Sequence, residues 1–108
     1  DTHSGRPAAG VEIELLALEA GGPRQIASAR TNADGRTDRP LLEGAAVRRG
    51  RYRLVFHIGD YFRAHGVKLP DPAFVDVVPV DFGIAEDGGS YHVPLVCTPW
   101  TYTTYRGS

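Results

Sequence analysis

Few side chains in this chain stand in a spacing that marks proton transfer or metal binding. It has four histidines, at positions 3, 57, 65 and 92, and a single cysteine, Cys97. No two histidines fall in an HExxH or similar metal-ligand spacing, and one cysteine makes neither a disulfide nor a thiolate cluster. No GxSxG elbow and no phosphate-cradling glycine loop is present. No spaced metal site is therefore expected. His3 lies in a turn, His57 on the more polar face of a strand, and His65 at the end of a short helix, where a cation offsets the helix dipole. His92 differs. In SYHVPLVC, Tyr91, Val93, Leu95 and Cys97 share an apolar face, and His92 points to the other side among few charges. It is either a solvent-facing histidine or a group awaiting a ligand. The final segment, TYTTYR, has no clean apolar face and repeats hydroxyls with no lysine or glutamate to guard an edge. Such a strand suits a cavity wall or a subunit interface. Arg36, in NADGR, reads from its surroundings alone as a solvated turn residue.

The elements that would position these groups are strands and turns. Residues 11–18 (VEIELLAL) alternate apolar and charged residues, the period of a half-buried strand. Residues 24–32 read as its hairpin partner, and 32–36 as a tight turn in which Gly35 takes positive φ. Residues 41–46 are ambiguous. Residues 51–59 (RYRLVFHIG) alternate again, and DYFRAHG supplies the one credible helix, capped by Asp60 and stopped by Gly66. Residues 73–82, 90–97 and 101–106 complete the set. That is about seven to eight short strands with one short helix after Gly59, an all-β pattern at the spacing of a sandwich or a barrel. Pro79 and Pro94 lack an amide donor, so each is expected at an edge, a bulge or a strand end.

Composition bounds the rest. The chain has 108 residues, 42% hydrophobic and 23% charged, enough for one domain over 1–108 with its own core. A net charge of −1 argues against nucleic-acid or membrane-surface binding driven by bulk electrostatics. The longest apolar runs are too short for a membrane span. The chain begins at Asp1 rather than at a methionine, so its lack of a leader carries no weight. A single unpaired cysteine fits a reducing cytoplasm.

Four stretches, in order, resemble one known family. DTHSGRPAAGVEIELL, TNADGR, GRYRLVFHIGDYF and YHVPLVCTPWTYTTYRGS are similar to the segments of 5-hydroxyisourate hydrolases, the transthyretin-related proteins. YHVPL and the terminal YRGS are the most specific parts. The resemblance implies a transthyretin-like two-sheet sandwich and a homotetramer, a dimer of dimers around a central channel that holds the active sites. It implies cofactor-free hydrolysis of 5-hydroxyisourate to 2-oxo-4-hydroxy-4-carboxy-5-ureidoimidazoline. The family's histidine in YHVPL falls on His92 and its DGR arginine on Arg36. Its YRGS tyrosine falls on Tyr105 and its final serine on Ser108, with Arg106 and Gly107 between them. The resemblance thus assigns His92, Arg36 and Ser108 to catalysis, and Arg36, Tyr105, Arg106 and Gly107 to substrate binding. A second family histidine, in a strand of the type THVLD, would lie upstream of Asp1, and His3 is not its counterpart. Two other readings share the fold: a non-catalytic carrier of a small hydrophobic ligand in the channel, and a degenerate paralogue that only assembles. A polar channel favours the enzyme, and an aliphatic one the carrier.

Overall fold

A computed structural model of the chain describes residues 1–88 and 91–107. Six strands are present among these residues. β1 (Glu12–Glu19) and β2 (Gly22–Arg30) form a hairpin, and β3 (Gly50–His57) pairs on the other side of β1. A helix, α1 (Ile58–Ala64), follows β3 directly, and β4 (Val77–Ile84) returns along it. The order in this antiparallel sheet is β2-β1-β3-β4. β5 (Leu95–Cys97) and β6 (Tyr102–Thr104) form a second, two-stranded antiparallel sheet. The all-β, two-sheet architecture with one short helix follows the sequence.

Alternation explains the first sheet. Ile13 and Leu15 of β1, Tyr52, Leu54 and Phe56 of β3, and Val78, Val80 and Ile84 of β4 are buried on one face. Glu12, Glu14, Arg53 and Asp81 lie on the other, where Arg53 and Asp81 are joined at 2.6 Å. Removing the inward set from water stabilises the sheet by roughly 1.5–3 kcal/mol for each fully buried large side chain. Cys97 of β5 joins the same core. Pro79 sits on β4, an edge strand, opposite Val55, where its missing amide leaves no ladder bond open.

Several boundaries differ from the sequence reading. The described strands number six, not seven to eight. The long C-terminal strand shrinks to Leu95–Cys97 because Pro94 cannot donate to a ladder, and upstream of it His92 makes one isolated bridge to Gly107. Residues 73–76 lie outside β4, and 41–46 contribute a 3-10 turn at Gly44–Ala46. The helix begins at Ile58, before Gly59. His57 is its N-cap without a side-chain bond, and Asp60 lies within the first turn. The buried Ile58, Tyr61 and Phe62 draw the chain into the helix by packing beneath the sheet. Gly66, at φ 78°, lies just beyond the helix.

The N-terminal loop ties the layers together. The Thr2 amide donates to the Cys97 carbonyl at 3.0 Å, and the Tyr61 hydroxyl donates to the Asp1 carboxylate. The loop thus links α1 to β5, beside the open end of the core.

Candidate active site

One large cavity, of about 830 Å³, lies between the two sheets. Its floor is apolar, with Val11, Ile13, Leu54 and Phe56. Its rim is polar, with Asp34, Arg36, Thr37 and His92. Two residues 56 positions apart in sequence, Arg36 and His92, therefore face one space.

The Arg36 side is a loop built around Asn32. The Asn32 amide oxygen accepts the backbone N–H groups of Asp34 (2.9 Å) and Arg36 (3.2 Å). The Asn32 backbone closes the loop, donating to the Arg36 carbonyl at 2.6 Å and accepting from Gly35 at 2.9 Å. Its side-chain nitrogen donates to Asp38 at 3.0 Å. Gly35 has φ 73°, and a Cβ there would press on Pro7 and Ala8 at 3.1–3.2 Å. The loop is thereby seated on the N-terminal segment, with the Arg36 guanidinium exposed at the rim. The tight turn expected at 32–36 is present, and Asn32 holds it.

The His92 side is a crossing of two segments. The Gly107 amide donates to the His92 carbonyl at 2.7 Å. A Cβ on Gly107 would lie 2.3 Å from His92 Nδ1 and 2.9 Å from its Cγ. The imidazole therefore rests against bare backbone, and glycine is the residue that allows it. On the opposite face the Arg106 guanidinium stacks 4.7 Å above the Tyr91 ring. His92 itself is exposed, as its face of the strand implies.

The structure thus brings Arg36, His92 and Gly107 to one region. Arg106 reaches Tyr91, and neither it nor Tyr105 lines the cavity. Tyr105 is 60% exposed. Ser108 lies outside the described residues. Sequence reasoning missed Asn32, Asp34 and Tyr91. Tyr91 was legible only as a core residue. Its partner shows once His92 and Gly107 are paired, because Arg106 is then its diagonal neighbour on the same face. Cys97 also lines the cavity, and burial pushes its thiol above the ordinary range, so it stays protonated and unreactive. Among the described residues no group of three potential ligands could hold a metal ion.

Chemically, the rim offers an imidazole and a guanidinium facing a space large enough for a small planar molecule. A family model described as the HIUase/Transthyretin family matches residues 1–107. The chain belongs to that family. A Rhizobium meliloti (strain 1021) protein named 5-hydroxyisourate hydrolase 2 is 56% identical over 108 residues, 100% of this chain and 90% of that protein. A Pseudomonas aeruginosa protein named 5-hydroxyisourate hydrolase is 51% identical, over 100% of this chain and 86% of its own length. Among solved structures, Klebsiella pneumoniae 5-hydroxyisourate hydrolase superposes with TM-score 0.79 at 32% identity, covering 100% of this chain and 91% of that one. An (S)-allantoin synthase superposes with TM-score 0.93 at 37% identity, where this chain spans 41% of a longer protein. The family match runs through all four stretches singled out in the sequence, from Asp1 to Gly107.

Proposed function

We propose that this chain hydrolyses 5-hydroxyisourate, with Arg36 and His92 as its working pair. The observation that supports this reading most is their meeting at the rim of one cavity. Relatives at 51–56% identity over the whole chain carry the same activity in their names.

The chemistry follows from the two groups. The neutral imidazole of His92 takes a proton from water as the water oxygen bonds to a ring carbonyl carbon. The ring C–N bond then breaks, and the proton passes from His92 to the departing nitrogen. Water is added across that bond, and the product is 2-oxo-4-hydroxy-4-carboxy-5-ureidoimidazoline. Arg36 orients the anionic ring and holds the negative charge that develops on the attacked oxygen. The Asn32-braced loop and the Gly107 contact keep both groups in place before substrate arrives, so positioning does the work a metal would otherwise do. Ser108 and Tyr105 complete the substrate contacts in this reading.

The same reading assembles the chain as a homotetramer, two dimers across a channel. The edges of β4 and β6, unpaired among the described residues, and the exposed Phe74, Val77, Trp100 and Tyr102 support it. It places the protein in the cytoplasm, consistent with one buried, unpaired thiol. No described helix is long and apolar enough to cross a membrane. The carrier reading draws on the cavity's aliphatic floor; the charged rim weighs against it. Decay of freshly generated 5-hydroxyisourate, followed by absorbance with and without the full-length protein, decides between them. Acceleration supports the hydrolase. Decay at the spontaneous rate, with an apolar probe bound in the cavity, supports the carrier.

A further inference from the structure

We infer that Tyr91 is a positioning residue for the site, holding the terminal segment on His92 through its stack with Arg106. Three observations converge. The Arg106 guanidinium carbon lies 4.7 Å over the Tyr91 ring, on the face opposite the imidazole. Directly across the strand, the single bridge His92↔Gly107 joins the two segments, with the Gly107 amide 2.7 Å from the His92 carbonyl. The imidazole contacts Gly107 so closely that a Cβ would fall 2.3 Å from Nδ1. The bridge continues the register of the β5–β6 ladder, which ends three residues away at Leu95↔Thr104, so beyond that pair the segment is held by this one bridge and can twist about it. A second attachment on the other face removes that freedom and fixes where Gly107 presses on the ring. Tyr91 is itself half-buried at the cavity's edge and packs against the core, so it is a firm anchor. Among the described residues Arg106 rests on a ring rather than on a carboxylate. Arg106 then acts mainly through Gly107 and His92, not by touching substrate.

An exposed cation–π pair of this kind is worth a factor of about two to five in the population of the seated segment. Five proteins test it: wild type, Tyr91→Phe, Tyr91→Leu, Arg106→Gln and the Tyr91→Leu/Arg106→Gln double variant. Two readouts are taken on each: exchange of the Gly107 amide by NMR, and kcat and KM for 5-hydroxyisourate. Tyr91→Phe keeps the ring and is expected to stay within about two-fold of wild type in both. Tyr91→Leu and Arg106→Gln are each expected to speed Gly107 exchange and lower kcat about two- to five-fold, with KM nearly unchanged. The double variant is expected to be no worse than the worse single, because both remove one contact. Unchanged Gly107 exchange in Tyr91→Leu overturns the proposal. So does an Arg106→Gln loss that falls mainly on KM and multiplies fully with Tyr91→Leu, which marks direct substrate binding. The kinetic arm rests on the hydrolase reading, but the exchange arm does not. If wild type has no turnover, that reading fails while Gly107 exchange still decides the latch.

Discussion

Gly107→Ala is the smallest change that strikes the site and little else. The added Cβ would sit 2.3 Å from His92 Nδ1, 2.9 Å from Cγ and 3.1 Å from Cβ. Three neighbouring ring and side-chain atoms cannot all yield by a small adjustment. Either the imidazole leaves its rotamer, at about 0.5–1.5 kcal/mol, or the segment lifts and loses the 2.7 Å bond to the His92 carbonyl. That bond is worth about 0.5–1.5 kcal/mol net. Stability therefore falls by about 1 kcal/mol, which lowers Tm by about 4–8 °C in a domain of this size. Activity falls further, because a displacement of about 1 Å at a catalytic group can cost about 100-fold. The assay pairs a thermal melt with kcat/KM for 5-hydroxyisourate. A Tm within about 8 °C of wild type together with at least a ten-fold loss of kcat/KM is expected. Activity within two-fold of wild type would refute the reasoning, since His92 would then not depend on the contact.

Three further outcomes follow from the same geometry. Asn32→Ala removes the acceptor for the Asp34 and Arg36 amides and the donor to Asp38. It should cost about 1–2 kcal/mol of stability and at least ten-fold in kcat/KM as Arg36 loses its fixed place; unchanged kinetics would show that Arg36 needs no brace. The Asp81 carboxyl is held below its usual range by hydrogen bonding to Arg53, so its charged form is favoured in the fold. That contribution is present above the ordinary carboxylate pKa of about 4 and is lost as pH falls through the lowered value. Asp81→Asn should flatten the acid limb of a denaturation-midpoint profile, and an unaltered limb would contradict it. Cys97, buried and with its thiol pushed up, should react with a thiol reagent at mildly alkaline pH only as fast as the protein opens. Labelling at the rate of a free thiol would place it at the surface.

The parts of this molecule that sequence reveals are those set by local rules. Alternation in VEIELLAL and RYRLVFHIG marked β1 and β3 and the side each buries. The edge position of Pro79 followed from its missing amide. The helix start escaped because the bond that shapes it is tertiary. Gly59 donates to the Asp76 carbonyl at 2.9 Å, and no pattern around Asp60 records that. The shortness of β5 was hinted by Pro94, yet His92's bridge to Gly107 depends on a partner 15 residues away. The site divides the same way. His92 stood out because it breaks an apolar strand. Arg36 did not stand out, because a turn arginine is ordinarily solvated; only the family resemblance and the shared cavity single it out. Tyr91 was hidden by its own alternation, which assigned it to the core while one face of its ring was taken by Arg106.

The central claim is that His92 moves the proton in a reaction performed at this rim. Turnover of freshly generated 5-hydroxyisourate by wild type and by His92→Asn, measured side by side in the full-length protein, tests it most directly. Wild type should accelerate the decay, and His92→Asn should lower kcat by about 10²–10⁴-fold, the span ordinarily lost with a general base. Near-full turnover by His92→Asn, in a variant as well folded as wild type, would contradict the account.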